Sequence, residues 1–474
     1  MKAQSQISNF RCQMSNPRAA SPFQSGRGQP HSKTCRNTDA HLTTRQRLGL
    51  RLSSAAFFID ETQINPAPGI PQPTRHNRNQ SQILKPRAAF LALALGFWCF
   101  LGAWSLGFGA SASPPAPTTP DGYRIPQPNP AFTFPRDHGS HPEFKIEWWY
   151  ITGHLFTASN RRFGFEATFF RRALKPPSAH SASQNKNAFG DDQIYLAHMA
   201  LSDPKTGTFL HEERINRGGW DASAAQDDLD ARNGNWSLKR TPDATSSESM
   251  RLLGSIRGRA AFDLKLSPTK PKVIFGENGL SRKGADPNAS SHYITFPRLT
   301  AAGELRLDGK TEKVSGLAWM DHEISSSQLD RDQVGWDWAS VQLDDGREIM
   351  VYIMRTKSGR PDPFSTLAWI GKDGRVRHYG PDKFSWTAKE RWRSPTTGAE
   401  YPLDITIQAP DPATGSTTRI RLKPIMPNQE LTGRIGGISY WEGACDALDE
   451  KGRPIGRAYV ELTGYAGSIA DRLR

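Results

Sequence analysis

The fold is decided by the stretch WDWASVQL at residues 336–343, followed by DDG at 344–346 and REIMVYIMR at 347–355. Asp-Gly between two apolar runs is a strong signal for a β-hairpin. In an extended second run, the two isoleucines and the valine share one face, whereas the two methionines and Tyr352 share the other. A strand that is apolar on both faces fits a barrel wall between an apolar cavity and a packed neighbour.

A second hairpin is predicted near the start of the globular region, with strands at Lys145–Phe156 and Phe163–Arg172 around a polar turn at 158–162. This register places Glu147 opposite Arg171 and Trp149 opposite Phe169. Glu147 then forms a cross-strand ion pair that closes one end of a barrel, or it is a polar group inside a ligand cavity. Glu166 has the same two interpretations.

The rest of the chain continues as short strands between turn residues, with almost no helical periodicity. The polar segments 176–192 and 221–249 are expected to be long loops. So many short strands predict an all-β protein of barrels or sandwiches. We expect an N-terminal barrel at 141–325 and a C-terminal barrel at 326–474.

The N-terminal region carries the signals for targeting. Residues 88–108 hold no charged residue, Lys85 and Arg87 precede them, and Ala110-Ser111-Ala112 follows as a small-residue cleavage pattern. We therefore expect residues 84–112 to form a secretory signal peptide or an uncleaved membrane anchor, with the following residues exported to the periplasm or anchored so that they face it. Residues 1–83 are expected to be a disordered or untranslated leader. Residues 113–140 are a Pro-rich linker.

The charge and cysteine content exclude two classes of function. The net charge is +14, but residues 1–112 contain 13 Lys/Arg against 3 Asp/Glu, so the globular part is nearly balanced and nucleic-acid binding is not expected. Only one of the four cysteines, Cys445, lies beyond residue 112. Neither an internal disulfide nor a cysteine-based zinc site is therefore expected in the globular part.

The segment Trp319-Met320-Asp321-His322-Glu323 places acidic groups among large apolar side chains. On an extended strand Trp319, Asp321 and Glu323 share one face. Two carboxylates so close repel each other, so one is expected to keep its proton near neutral pH and act as a general acid. The alternative is that Asp321 only accepts hydrogen bonds where two domains join.

Other catalytic signatures are weak or missing in the sequence. His198 is a single imidazole in an apolar strand, which is more often a core residue than a ligand. A metal site from His198, Asp321, His322 and Glu323 is not expected, because neighbours on a strand point to opposite faces and no H-E-x-x-H pattern occurs. No G-x-S-x-G or P-loop is found in the globular part, and no cofactor is expected.

Several motifs in order resemble one family. They are EWWY at 147–150, FEATFFR at 165–171, YLAH at 195–198, WMDHE at 319–323, GWDW at 335–338 and GRAYVELTGY at 456–465. From about residue 140 to the end the chain resembles the AttH-type secreted lipocalin-like proteins, which are relatives of the carotenoid 1,2-hydratases. The resemblance implies two lipocalin-like barrels in tandem and an association with ABC transport systems.

The resemblance also implies candidate site residues. Asp321 matches the aspartate with which the hydratases protonate a terminal isoprenoid double bond. Trp319 stands where they carry tyrosine and Glu323 where they tend to carry asparagine, which places the chain nearer the AttH-type branch. We therefore expect Asp321, His322 and Glu323 as candidate catalytic residues. The candidate ligand-binding residues are Glu147, Trp149, Tyr150, Glu166, His198, Trp319, Trp336, Asp337 and Trp338.

Two functions remain open from the sequence. The first is an exported protein that binds a hydrophobic, lipid- or isoprenoid-like ligand, with an ABC transporter permease as partner. The second is a hydratase that adds water to an isoprenoid double bond, with Asp321 as general acid and aromatic faces stabilising the cation. A hydrolase with Asp321 or His322 as general base is a weaker third.

Overall fold

The computed structural model describes residues 116–176, 192–219, 221–433 and 435–469. In this part of the chain the regular structure is β-strand apart from one 3-10 turn at Arg136–His138, which confirms the all-β class. No helix in these ranges has the length and apolar character needed to cross a bilayer. The predictions for residues 1–83 and 84–112 and for most of the loop at 176–192 lie outside the described residues.

Thirteen strands form the first sheet: β1 (Ile146–Thr157), β2 (Arg162–Ala173), β3 (Gln193–Asp203), β4 (Thr208–Arg217), β5 (Ala222–Ala224), β6 (Asp230–Asn233), β7 (Trp236–Arg240), β8 (Met250–Ile256), β9 (Ala260–Pro268), β10 (Val273–Phe275), β11 (Ser281–Arg282), β12 (Ser290–Leu307) and β13 (Lys310–Ser327). Their order is β4-β3-β2-β1-β13-β12-β9-β8-β7-β6-β5, and β10 and β11 pair with β12. All pairings are antiparallel, as is typical of lipocalin-like barrels.

Ten strands form the second sheet: β14 (Gln333–Leu343), β15 (Glu348–Thr356), β16 (Thr366–Ile370), β17 (Val376–Tyr379), β18 (Ser385–Arg393), β19 (Glu400–Pro410), β20 (Thr417–Pro424), β21 (Glu430–Thr432), β22 (Ser439–Leu448) and β23 (Pro454–Leu462). Their order is β17-β16-β15-β14-β23-β22-β20-β19-β18, with β21 paired to β22. The first sheet thus ends at Ser327 and the second begins at Gln333.

Each sheet curls around its own apolar interior. In the first, residues such as Trp149, Phe165, Met199 and Phe262 form one buried cluster that joins strands from across the sheet. In the second, the corresponding cluster includes Trp369 and Trp441. The two interiors are therefore filled by side chains, as in small closed barrels.

A third buried cluster lies between the barrels. It contains Tyr150 and Trp319 from the first sheet and Trp338 and Tyr352 from the second. Side chains on a strand alternate, so β1 sends Trp149 into its barrel and Tyr150 toward the other barrel. β15 shows the two-faced pattern predicted from the sequence, with Val351 inside its barrel and Tyr352 between the barrels.

The predicted register of the first hairpin is confirmed, because Glu147 lies opposite Arg171 and Trp149 opposite Phe169. The prediction that residues 221–249 form a long loop is wrong. Three short strands, β5 to β7, occupy much of this segment, because alternate residues such as Ala231 and Leu238 reach the interior of the first barrel.

The described part of the expected linker, 116–140, packs on the first barrel. Tyr123 is buried and its hydroxyl donates to the carbonyl of Ala173 at 3.1 Å. The indole of Trp149 donates to the carbonyl of His138 at 3.0 Å. These residues therefore cover one end of the barrel instead of forming an extended spacer.

Candidate functional site

A row of side chains crosses the first sheet at one level on the face toward the second barrel. The strand registers align His198 with Thr168, Thr168 with Tyr150, Tyr150 with Asp321, and Asp321 with Thr295. Paired residues in a sheet point to the same side, so these five side chains share one face. Neighbouring strands lie about 4.8 Å apart, so the row from His198 to Asp321 spans roughly 14 Å.

A matching row crosses the second sheet. Glu442 pairs with Glu461, Glu461 with Trp338, and Trp338 with Tyr352. The hydroxyl of Tyr150 reaches across the boundary and donates to Glu442 Oε2 at 2.9 Å. The site is thus built by two sheets that face each other.

A cavity of about 90 Å³ lies between the two rows. Its walls are mostly apolar and rich in aromatic rings, which include Trp148, Tyr150, Trp336, Trp338 and Tyr352. Cavities with such walls and a few polar groups are the usual form of sites for apolar ligands.

Asp321 is the buried acid of this cavity, with 2% of its surface exposed. Its Oδ1 accepts hydrogen bonds from Thr295 Oγ1 at 2.6 Å and from Trp319 Nε1 at 2.7 Å. Its Oδ2 accepts one from the hydroxyl of Tyr293 at 2.7 Å. Burial raises the pKa of Asp321 to about 7, although these three donors favour the anion. Asp321 can therefore both give and take a proton near neutral pH.

The hydroxyl of Tyr293 links Asp321 to the second sheet, because it accepts a hydrogen bond from Trp338 Nε1 at 3.0 Å. Burial, followed by the charges of Asp321 and Glu323, raises the pKa of Tyr293 well above its usual range. Tyr293 therefore remains a neutral donor that fixes the carboxyl of Asp321.

Glu323 lies beside Asp321 on the same strand face and is paired with a cation. Its Oε2 accepts a hydrogen bond from Ser291 Oγ at 2.5 Å and lies 3.1 Å from Lys283 Nζ. The Lys283 ammonium also lies 4.2 Å from the ring centre of Tyr352 and 4.6 Å from that of Tyr293. Glu323 and Lys283 thus supply a fixed ion pair to the cavity wall.

Three further glutamates lie between the barrels without a cationic partner in the described part of the chain. Glu166 and Glu442 are fully buried, and Glu461 is partly buried. Burial raises the pKa of Glu461 to about 8, although a hydrogen bond from Trp336 Nε1 at 2.9 Å favours the anion. Burial likewise raises the pKa of Glu166 to about 8. For Glu442, burial and the charges of Glu461 and Glu166 raise the pKa well above its usual range. All three are therefore expected to hold protons at neutral pH.

His198 and Tyr440 form the opposite end of the cavity. The hydroxyl of Tyr440 lies 2.6 Å from His198 Nδ1, and both residues are buried. On the other side of the ring, His198 Nε2 lies 3.4 Å from Glu213 Oε1. The cavity therefore has titratable groups at both ends.

Glu147 belongs to a different network at one interior end of the first barrel. Its carboxylate accepts hydrogen bonds from Arg171 Nε at 2.9 Å, His141 Nδ1 at 2.8 Å and His322 Nε2 at 2.8 Å. Burial alone would raise the pKa of Glu147, but these partners outweigh it and hold the pKa well below its usual range. Burial lowers the pKa of His322 to about 4.

The metal-binding atoms of His141, Glu147 and His322 lie within 4.8 Å of one another. These atoms already hydrogen-bond to one another, and His141 Nε2 also contacts Asp137 Oδ1 at 2.9 Å. The guanidinium of Arg171 beside the carboxylate opposes a further cation. We therefore interpret this cluster as an ion-pair network that closes the barrel end.

The structure brings six of the predicted site residues to the cavity and separates the others from it. The cavity is lined by Tyr150, His198, Asp321, Glu323, Trp336 and Trp338. Trp319 lies directly behind Asp321, to which it donates. Glu166 lies behind Thr168, whose hydroxyl donates to it.

Four predicted residues point into the barrels because of strand alternation. Trp149 belongs to the interior cluster of the first barrel and stacks on His322 at 4.8 Å, while Glu147 completes the network there. Asp337 points into the second barrel, where it bonds Arg355 Nε at 2.8 Å and the hydroxyl of Tyr465 at 3.0 Å. The structure thus places Glu147, Trp149, His322 and Asp337 away from the cavity.

Sequence reasoning did not select several residues of the cavity and its supports. They are Lys283, Tyr293, Thr295, Tyr440, Glu442 and Glu461. Glu461 carried the same signal as Glu147, a lone carboxyl within the apolar run AYVEL. Tyr293 and Thr295 gave no local signal because they lie on the neighbouring strand β12. Tyr440 and Glu442 gave none because they meet His198 and Tyr150 only where the two barrels pack together.

Comparisons with known proteins agree with this architecture. A protein of Nitrosomonas europaea assigned to AttH has a crystal structure that matches with 35% identity and a TM-score of 0.62, over 72% of this chain and 98% of that chain. The structure of kievitone hydratase from Nectria haematococca matches with 15% identity and a TM-score of 0.53, over 74% and 99% of the two chains, which shows a shared fold alone.

A search of curated proteins found no match. The profile of the AttH-like family matches residues 125–465, which is most of the chain. Together with the 35% identity to the Nitrosomonas structure, this match is decisive. The chain belongs to the AttH-like family.

Proposed function

We propose that this protein binds an apolar, unsaturated ligand in the cavity between its two barrels. The observation that carries the proposal is the position of the cavity, which is walled by aromatic rings of both sheets while the barrel interiors are filled. An engineered protein cavity of about 150 Å³ holds a benzene molecule. The cavity here is smaller, about 90 Å³, and its lining extends from His198 to Asp321, so it suits a slender chain rather than a ring.

Binding can be tested by blocking the cavity. Thr168 is a small, buried wall residue, so Thr168→Trp should fill the space. We expect geraniol to quench tryptophan fluorescence of the wild type in a saturable way, and the variant to lose this response. Mass spectrometry of extracts should also find copurified lipid only with the wild type.

The matched control places the same new ring on the surface. Ile274 is 36% exposed and does not line the cavity, so Ile274→Trp should bind geraniol as the wild type does. Circular dichroism checks that both variants fold. Equal binding by the blocked variant would exclude the cavity as the binding site.

A second function, addition of water to a carbon–carbon double bond, is favoured by Asp321. It lines the cavity and its pKa of about 7 leaves much of it protonated at neutral pH. Its proton would pass to one alkene carbon, and aromatic faces would stabilise the cation on the neighbouring carbon. Water then adds to the cation and returns a proton to the Asp321 carboxylate. The name of the structural neighbour kievitone hydratase is a further reason to test this reaction.

Turnover can be tested in isotopically labelled water with geraniol as substrate. The wild type should incorporate labelled oxygen into a new alcohol, and Asp321→Asn should lower the rate by at least about 100-fold, as for loss of a general acid. Asp337→Asn is the control, since this buried acid bonds Arg355 away from the cavity. Binding without turnover by the wild type would leave the binding proposal and remove the hydratase one.

We also propose that the protein acts outside the cytoplasm and exchanges its ligand with an ABC transporter. The support is the uncharged stretch at 88–108 with its basic flank, together with the resemblance to AttH-type proteins. Cell fractionation tests export, and in vivo cross-linking followed by mass spectrometry tests the transporter. Recovery of the full-length chain in the cytosol alone would contradict both.

A further inference from the structure

The end of the cavity opposite Asp321 contains three polar residues in contact, Tyr440, His198 and Glu213. Tyr440 and His198 both line the cavity, and the Tyr440 hydroxyl lies 2.6 Å from His198 Nδ1. Glu213 lies behind the imidazole, with Oε1 3.4 Å from Nε2. None of these contacts involves the Asp321 cluster.

Glu213 is held as an anion. Burial opposes this state, but the His198 contact and two backbone N–H groups lower its pKa below the usual range. The N–H of Ile435 donates at 2.6 Å and that of Gly436 at 2.8 Å. An anion that faces Nε2 favours the tautomer with the hydrogen on Nε2. Nδ1 is then the acceptor, and Tyr440 donates its hydroxyl hydrogen to it.

This orientation determines what the Tyr440 oxygen can offer a ligand. Its only hydrogen is engaged with His198, so the oxygen presents lone pairs to the cavity. Burial, and then the charge of Glu166, raises the pKa of Tyr440 well above its usual range, so the hydroxyl stays neutral. Phe170, Leu196 and Ile438 supply apolar walls at this end. The group that completes the site is a hydrogen-bond donor on an otherwise apolar molecule.

The two ends of the cavity are separated by the row that runs from His198 to Asp321. Four consecutive strands make this row, and their spacing gives roughly 14 Å between its ends. One extended ligand can therefore place an apolar, unsaturated end near Asp321 and a polar end near Tyr440.

We propose that Tyr440, oriented by His198 and Glu213, accepts a hydrogen bond from a hydroxyl group of the ligand, so that the ligand class is an unsaturated apolar alcohol. This inference rests on the proposed binding function and adds the ligand's polar end to it. Tyr440 is the contact residue, and His198 and Glu213 are positioning residues.

The test compares two ligands that differ by one hydroxyl, geraniol and deoxygeraniol, against wild type and Tyr440→Phe. One hydrogen bond in a buried site corresponds to about a fivefold change in affinity. We expect Tyr440→Phe to weaken geraniol about fivefold and to leave deoxygeraniol unchanged. Tyr459→Phe is the matched control, because Tyr459 is equally buried between the barrels but does not line this cavity.

A second comparison needs no variant. Geranyl methyl ether lacks the hydroxyl hydrogen, so the wild type should bind it about fivefold more weakly than geraniol. Equal affinity for the ether and geraniol, or an equal effect of Tyr440→Phe on both ligands of the first test, would overturn the inference and leave the binding function intact. Failure of the wild type to bind any of the three would overturn the binding function itself.

Discussion

Acidic side chains are buried in two regions of the molecule that are built on the same strands. The hydrogen-bond and ion-pair partners of the acids differ between the two regions. At the interior end of the first barrel, Glu147 meets Arg171 and two histidines, and its pKa is held well below the usual range. On the opposite strand faces, Asp321 meets only neutral donors, and its pKa is raised to about 7. A charged acid that is fully paired has a structural role at the barrel end, whereas an acid without a cationic partner can exchange protons.

Strand alternation produces this difference within a few residues. His322 points into the barrel toward Glu147, and its neighbours Asp321 and Glu323 point toward the second barrel. The same segment therefore serves the barrel end and the cavity. The following predictions separate the two regions.

The largest expected effect is on the paired region. Arg171→Met should lower the free energy of unfolding by about 3–5 kcal/mol, because the buried Glu147 carboxylate loses its guanidinium partner. Glu461→Gln removes an unpaired carboxyl from the cavity and should leave stability unchanged or raised at about pH 8. Urea denaturation measures both. Similar losses in the two variants would remove the distinction between the regions.

The second prediction concerns alkaline pH. Glu166 and Glu461 have folded-state pKa values of about 8, above the usual value, so the folded chain binds more protons than the unfolded one between about pH 5 and pH 8. Stability from these groups is therefore complete at low pH and is lost as pH rises through about 8, at up to ~1.4 kcal/mol per pH unit for each proton.

Unfolding midpoints measured between about pH 7 and pH 9 test this dependence of stability on pH. The range lies above the usual pKa of histidine, so histidine titration contributes little. The double variant Glu166→Gln/Glu461→Gln should show a flatter dependence than the wild type. Glu147 has the opposite sign, because its lowered pKa gives stability that is lost on acidification. A wild type whose stability rises from about pH 7 to pH 9 would contradict the assignment.

The smallest predicted effect concerns the donors to Asp321. Thr295→Val removes one hydrogen bond to the anion and keeps the side-chain shape. A hydrogen bond to a charged group contributes about 1.5–3 kcal/mol, so the pKa of Asp321 should rise by about one to two units. Titration of the carboxyl infrared band measures the shift, and Thr300→Val, on the exposed part of the same strand, is the control. A lower pKa in Thr295→Val would contradict the role of this donor.

The sequence predicted those features that depend on local patterns. The hairpin register of Glu147 and Arg171, the two-faced strand with Val351 and Tyr352, and the all-β class all follow from alternation and turn residues. The same alternation puts the side chains of His322 and Asp321 on opposite faces of the strand, so the sequence alone separates His322 from a site that contains Asp321.

The cavity itself could not be predicted in the same way. Tyr293 reaches Asp321 from the neighbouring strand β12, and Lys283 reaches Glu323 from the segment after β11. Tyr440 meets His198 only where the two barrels pack together. A row across four strands requires every register at once, and one hairpin gives only one of them. The sequence therefore identified the acid, and the arrangement of the sheets identified its surroundings.

The chemistry of the cavity depends most on Asp321 being a proton donor and acceptor near neutral pH. The direct measurement is infrared difference spectroscopy of the wild type against Asp321→Asn between about pH 5 and pH 9, in which a protonated carboxyl has its own band. We predict a single carboxyl band that titrates at about pH 7 and is missing in the variant. A carboxyl of Asp321 that is fully ionised at about pH 5 would contradict the account.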